Sequence, residues 1–578
     1  MEKLGSIVSI KAISYFAFIF NILSLVFGLI YLLTMNNYSS WWDIGGIIYL
    51  ITLFGNFLLI YLDSIRVNRT HKIGNRISLL GYFYLAFIIL AMLGMFLGNF
   101  IYSVTYSPEV MANLGSFVLV YLSYFGGLIL GFIIAYLNIR KLKVAEIWDT
   151  THVKETSSRM RLVKLALMLL CYLILFLGIY FVLITYFGAD LLNDEISGAI
   201  GMFVGQFDLF FVFLVLADTI ILLKLKDRTR SPRSYYGIAI IGIFLTGFLI
   251  IPFCATPYSI SSAEQNFSIA FGADWQTKIP ANVTNQYFLK TPFSTPEYFL
   301  GMTTTNYLVN TNVQFYDADG IRLFFDVYTP KADATTLPGN NSVIIRIHGG
   351  GWVSGDKGWA NMMQMNKYFA AQGYIVFDIQ YGLHESSSFF NKLLPTPSYL
   401  VGNFTVNDML KHIGNFTQYL AEYADEYKAN LKSVFISGGS AGGHLTCATA
   451  LAIASGNYTA IFGNNLTIKG FIPLYPANGH STDLGVTGSP EFISPDDYLV
   501  NVSSPPCLDF QGTQDGIVHP SISQDLKNAY TAAGNSRCAI IYLPFGGHAS
   551  DLYYTGYYNQ VFLYYMERFM YLCGHNLI

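Results

Sequence analysis

The stretch Ser433 to Ala454, SVFISGGSAGGHLTCATALAIA, decides the fold of the second half of the chain. Val434, Phe435 and Ile436 favour a strand, a glycine-flanked serine follows at once, and a small-residue helical pattern follows that. Strand, sharp turn and helix with Gly438-Gly439-Ser440-Ala441-Gly442 at the turn make the G-x-S-x-G pattern of a nucleophile elbow. The elbow strains the backbone of its serine, so the residues two before and two after must lack a side chain. Ser440 Oγ is therefore expected to stand proud of a sheet edge. In a chain with 51 glycines the string alone says little, and its place between strand and helix is what gives it weight.

Two further regions fit the same chemistry. Upstream, VIIRIHGGGW (Val343 to Trp352) is an apolar strand ending in His348 and three glycines. Backbone N–H groups in such a run can come close to a reacting oxygen, so Gly349, Gly350 and Gly351, with the N–H of Ala441, are expected to form an oxyanion hole. Downstream, CLDFQGTQD (Cys507 to Asp515) and AIIYLPFGGH (Ala539 to His548) are apolar strands that each run into a turn carrying one ionisable group. The order Ser440, Asp515, His548 is the order of an α/β-hydrolase triad.

With HGGGWVSGDK (His348 to Lys357), GGSAGGHL (Gly438 to Leu445), GTQDGIV (Gly512 to Val518) and GGH (Gly546 to His548), the chain from about Asn312 onward resembles α/β-hydrolase esterases of the hormone-sensitive-lipase-like group. It is most similar to the branch of feruloyl and acetyl-xylan esterase-like and arylformamidase-like enzymes. The resemblance implies an eight-stranded, mostly parallel sheet with helices on both faces, and hydrolysis of carboxylic esters. Gln511 stands where that group often has His, and Gly382 where Arg is common.

The first half is of another kind. Of the 578 residues 53% are hydrophobic and only 12% charged, well below the quarter usual for a soluble domain. Seven apolar runs are long enough to cross a bilayer, near Ala12 to Thr34, Ile44 to Leu62, Ile77 to Tyr102, Ser116 to Ile139, Leu165 to Phe187, Ala199 to Leu223 and Tyr236 to Pro257. The 18 Lys and Arg before Pro257 fall at the N-terminus and in alternate loops, while the intervening loops have none. The positive-inside rule then places the N-terminus in the cytoplasm, the spans in the cell membrane and the rest of the chain outside. Eight N-x-S/T sequons after the last span agree with that side, which makes a glycoprotein an expectation too. The expected organisation is a seven-span α-helical bundle (1–257), a Ser- and Thr-rich lead-in (258–310) and an α/β-hydrolase domain (311–578).

Beyond the last span the chain has 15 basic and 23 acidic residues, which argues against nucleic acid as a partner. No C-x-x-C or His cluster suggests a metal, no cofactor is implied, and the six cysteines read as buried free thiols. Asp208 and Asp218 lie in the sixth run, where a charge costs several kcal/mol unless paired or neutralised; Asp218 is near enough to the cytoplasmic end to expect solvent. Two segments are expected to roof the acyl pocket or else to pack on the core: Tyr381 to Asn407, with Phe389, Phe390, Leu393, Leu394 and Tyr399, and Ala477 to Ser503.

The reading is a membrane-anchored serine hydrolase acting outside the cell on carboxylic esters: small acyl esters, lipids or acylated glycans. The alternatives are a prolyl-oligopeptidase-type peptidase, an acyltransferase to a lipid or glycan, and a non-enzymatic receptor with a silent hydrolase domain.

Overall fold

The structure is a computed structural model that describes residues 2–34, 41–66, 72–104, 110–141, 158–188, 195–226, 228, 230–358, 362–387 and 394–578. Among the described residues eight α-helices open the chain: α1 (Glu2–Thr34), α2 (Trp41–Arg66), α3 (Lys72–Val104), α4 (Val110–Lys141), α5 (Ser158–Phe187), α6 (Glu195–Leu225), α7 (Pro232–Cys254) and α8 (Thr256–Phe271). Among the described residues six segments are long and apolar enough to cross a membrane: Ile10–Thr34, Trp41–Ile65, Gly74–Ser103, Leu114–Arg140, Arg161–Phe187 and Pro232–Phe271.

Two expectations change here. The sixth predicted span, Ala199 to Leu223, lies in α6, whose Phe207, Leu209, Val212, Phe213 and Ala217 are fully buried by neighbouring helices. Composition cannot separate a helix that faces lipid from one enclosed by other helices, because both are apolar all round. Asp208 is fully buried with neither carboxylate oxygen hydrogen-bonded, and Asp218, expected to reach solvent, is buried as well. The second change concerns the lead-in. The last apolar segment does not stop at Pro257 but continues through α8, and Trp275, Phe288 and the short helix Thr295–Leu300 are buried in the common core. The Ser and Asn content of 256–271 obscures its helical periodicity in the sequence, although Ser259 is itself buried with Ala263, Phe267, Ala270 and Phe271.

The remaining elements form an α/β-hydrolase-like domain. Its sheet strands are β1 (Tyr307–Ala318), β2 (Ile321–Pro330), β3 (Ser342–Ile347), β4 (Ile375–Ile379), β5 (Asn430–Gly439), β6 (Ile468–Leu474), β7 (Cys507–Gly512) and β8 (Cys538–Leu543). Their order is β1-β2-β4-β3-β5-β6-β7-β8. Only β2 runs against its neighbours, pairing antiparallel with β1 and β4, while the strands from β4 to β8 are mutually parallel. Parallel strands carry helices on their faces, so both sides are apolar and β3, β4 and β7 are buried at every position. The helices used below are α9 (Met363–Ala371), α10 (Val406–Glu422), α11 (Ala441–Ser455) and α13 (Tyr557–Gly574), with α12 (Ser521–Ala532) between the last two.

The helix α13 joins the two halves. Phe267 and Trp275 pack on Tyr565, and Phe271 on Phe569, with ring centroids 4.9 to 6.3 Å apart in this cluster. Beside them Glu567 is buried and fully used: Leu289 N donates to it at 2.9 Å, Tyr368 Oη at 2.6 Å, Gln372 Nε2 at 2.9 Å, and Arg568 pairs with it. Burial pushes the Glu567 carboxyl up from its usual range, against the pull of Arg568 and these donors. Arg568 in turn lies over the Tyr564 ring, 3.4 Å from its centroid, and donates to Leu289 O. Replacing one member of a buried ion pair strands the other, at about 3–5 kcal/mol. Glu567→Met is therefore expected to destabilise the protein by about that amount, read as the fall in its thermal or denaturant unfolding midpoint in detergent.

Candidate active site

Ser440 sits between β5 and α11 at φ 58°, ψ −122°, a left-handed conformation that a non-glycine residue holds only when its surroundings enforce it. The neighbours show what enforces it. A Cβ on Gly438 would lie 2.2 Å from Ile347 O, and one on Gly442 would lie 2.2 Å from Ile347 O and 2.5 Å from His348 O. The serine turn and the end of β3 are thus pressed backbone to backbone. Ser440 N donates to Leu474 O at 2.9 Å, and the serine carbonyl accepts from His444 N at 3.0 Å, so the turn is also tied to β6 and to α11.

The same closeness brings in the glycine run. A Cβ on Gly349 would lie 2.7 Å from Gly439 O and 3.5 Å from Ser440 Cβ, so Gly349 lies directly against the serine. Gly350 and Gly351 both have positive φ, 113° and 62°, and Trp352 follows at 62°. Leu484 stands over Gly351, where a Cβ would meet its Cδ1 at 2.9 Å, so the segment from Ala477 to Ser503 does border this run. Of the other segment expected to roof the pocket, Phe389, Phe390 and Leu393 lie outside the described residues. Ala441, the remaining oxyanion candidate, is the fully buried first residue of α11.

Asp515 and His548 come together on the turns after β7 and β8. His548 Nδ1 is 2.8 Å from Asp515 Oδ2, with both side chains buried. A carboxylate only accepts, so Nδ1 carries a proton, and in the neutral ring the lone pair is then on Nε2. Asp515 Oδ1 accepts from Ile517 N and Val518 N at 2.9 and 2.8 Å. Gln511, the departure noted in the sequence, donates to Asp515 Oδ2 at 3.3 Å and accepts from Ser523 Oγ at 3.0 Å, so it braces the carboxylate from below. Ser440 Oγ and the imidazole share no hydrogen bond among the described residues; such contacts are often long without substrate.

Near both the serine turn and the histidine is Tyr475, which the sequence did not single out. Its ring packs edge-on to His548 at 4.6 Å, and a Cβ on Gly439 would meet its Oη at 2.6 Å. Its Oη donates to Asp551 Oδ1 at 2.6 Å. Burial raises the Asp551 carboxyl from its usual value, while the Tyr475 hydrogen bond and the nearby Arg346 pull the other way. The other histidines near the turn are structural. His348 stacks on Tyr381 at 4.4 Å, and burial pushes it down to about 4, so it is neutral at pH 7. His444, also lowered to about 4 by burial, accepts from Trp352 Nε1 and bonds Phe492 O at 2.7 Å, tying α11 to the segment over Gly351.

His548 also meets the bundle. His548, Gly547, Phe545 and Gln514 line a crevice whose other side is Ile184 and Thr185 of α5 and Ser197, Gly198, Gly201 and Gly205 of α6. The Thr185 hydroxyl facing this region is buried without a hydrogen-bond partner.

With this geometry in view, comparison with known proteins is informative. Residues 325–470 match the BD-FAE family model. That family is esterase-like α/β-hydrolase, and the match spans the glycine run and Ser440 but stops before Asp515 and His548. No curated protein matches the chain. Among solved structures, esterase B from Lactobacillus rhamnosis, inhibited by a tributyrin phosphonate, is 19% identical, covers 47% of this chain and 88% of its own, and has a TM-score of 0.39. Thermogutta terrifontis esterase 2 phosphonylated by cyclosarin is 23% identical over 42% of this chain and 85% of its own, TM-score 0.33. The apo form of that enzyme is 21% identical over 46% and 92%, TM-score 0.34.

A methyl group at position 442 has nowhere to go, since the three nearest atoms it meets, Ile347 O and the carbonyl of His348, are all backbone. Gly442→Ala is expected to cost at least about 3 kcal/mol, the upper range for forcing a side chain into a packed site, and to reduce the yield of folded protein, measured by size-exclusion recovery and thermal unfolding.

Proposed function

We propose that the protein is a membrane-anchored serine hydrolase that cleaves carboxylic esters by two-step acyl transfer. The observation that carries the reading is the 2.8 Å bond between His548 Nδ1 and Asp515, formed at the same end of the sheet as the strained Ser440. His548 Nε2 takes the proton of Ser440 as Oγ attacks the ester carbonyl, and Asp515 holds the ring in the required tautomer. The N–H groups of Gly349, Gly350, Gly351 and Ala441 receive the developing oxyanion. His548 then passes the proton to the leaving alcohol, and water, activated by the same histidine, releases the acid.

The match to an esterase-like family over residues 325–470 supports ester substrates over peptides. Within esters, the crevice beside His548 bears on the choice. α5 and α6 border the crevice beside His548, so esters presented at the membrane surface are part of the proposal. In this reading six apolar helices face lipid and α6 passes through their midst, which puts the hydrolase outside the cytoplasm by the distribution of Lys and Arg. The hormone-sensitive-lipase-like resemblance, and the feruloyl and acetyl-xylan esterase-like branch within it, belong to the same proposal.

Ser440→Ala is expected to lower turnover of p-nitrophenyl butyrate by on the order of 10⁴-fold or more and to abolish labelling by a fluorophosphonate. Retained turnover or labelling by the variant sinks the assignment.

A further inference from the structure

We infer that Gln206, on helix α6 of the bundle, is a positioning residue for His548, so that the bundle is a working part of the hydrolase and not only its anchor. The inference rests on the Ser440 and His548 chemistry proposed above.

Gln206 is 1% exposed on α6, where an unused amide would be costly. Nothing in it is unused. Nε2 donates to Ala549 O at 3.1 Å and to Met202 O one turn back, and Oε1 accepts from Tyr553 N at 2.8 Å. Two carbonyls and one N–H around the group fix which way the amide points. A carboxylate has no donors to offer the two carbonyls, and an apolar side chain offers nothing to any of the three.

The groups it holds are the ones that aim the histidine. Ala549 directly follows His548 and has φ 52°, a conformation that alanine adopts under external constraint. The clamp on its carbonyl is such a constraint. On the other side of the ring, the turn of Asp515 is set against the same two helices. A Cβ on Gly188, just past α5, would lie 2.9 Å from Gln514 O, and one on Gly198 of α6 would lie 3.1 Å from Ile517. Between them a Cβ on Gly547 would lie 2.4 Å from Gly201 O, and one on Gly205 would lie 2.7 Å from Phe545 O. Glycines at 198, 201 and 205 recur on one face of α6, and that face lies against both catalytic turns. Tyrosines lock the arrangement from behind: Tyr557 Oη donates to Gly205 O, and Tyr298 Oη donates to Gln206 O at 3.0 Å.

Asp515 and His548 are thus both referenced to α5 and α6, and their mutual placement depends on that base. Loss of placement by about 1 Å can cost 10²-fold in rate without weakening substrate binding. A purely structural glutamine would show a different signature, a loss of folded protein with the kinetic constants of the surviving fraction intact.

The test uses the full chain in detergent with p-nitrophenyl butyrate. Gln206→Met removes all three hydrogen bonds at similar volume. It is expected to lower kcat by about 10- to 100-fold with KM within about twofold, and to slow fluorophosphonate labelling by the same factor. Gln206→Glu keeps the acceptor for Tyr553 N and loses the donor to Ala549 O, and should fall between the two. Wild-type kcat in either folded variant, or a rise in KM with kcat preserved, overturns the inference. If neither variant folds, hydrogen exchange on the wild type decides: the Tyr553 amide is expected to exchange as slowly as the amides of β8, and fast exchange at Tyr553 refutes the clamp. A wild type with no ester turnover and no labelling would instead remove the proposed function on which the inference stands.

Discussion

Two carbonyl oxygens, those of Ile347 and His348, occupy the space where a side chain on Gly442 would be. The site depends on that closeness. It draws the end of β3 under the first turn of α11, and the glycines that follow His348 are thereby laid against Ser440. The cost is a backbone strained at Ser440, which local structure alone would not hold. Leu474 O from β6, His444 N from α11 and the Tyr475 ring each restrain the turn from a different side. Strain at Ser440 is thus balanced by packing from the end of β6 and from α11.

The same device, absence of side chains where two backbones must meet, recurs at the junction with the bundle. Gly201 and Gly205 of α6 receive Gly547 and the Phe545 carbonyl much as Gly442 receives β3. Around this bare contact the chain places its heaviest side chains. Phe207, Phe210, Tyr298, Tyr553 and Tyr557 form a connected aromatic cluster with centroid separations from 4.6 to 6.1 Å. Each such pair adds about 0.5–1.5 kcal/mol beyond the area it buries. The small residues set the distance and the large ones hold it.

Much of this was legible in the sequence. The strands ahead of Ser440, Asp515 and His548, at 430–439, 507–512 and 538–543, lie where the sequence leads one to expect them, because an apolar run bounded by turn residues is a strong local pattern. Ser440, Asp515 and His548 stood out because each ends such a strand. What stayed hidden depends on partners far along the chain. Tyr475 and Asp551 are ordinary loop residues until the fold brings them together, 76 positions apart. Gln206 meets Ala549 across 343 positions. The sequence drew attention to the two carboxylates of α6, whose burial is the more expensive, and passed over the neutral amide between them and the site. That α6 is enclosed by its neighbours was hidden for a related reason: enclosure is a property of neighbours, and an enclosed helix reads like an exposed one.

One feature of α13 bears on how the molecule is made. This helix is translated after every element it joins, yet its buried Glu567 collects Leu289, Tyr368 and Gln372 from three separate stretches, and its aromatic face covers α8. Until it arrives, a nascent chain has the bundle helices and all eight strands but lacks the helix whose aromatic face packs on α8. Completion of the hydrolase is therefore deferred to a late step of biosynthesis, and a chain interrupted before this helix exposes apolar surface on both halves at once, the kind of surface that quality-control machinery recognises.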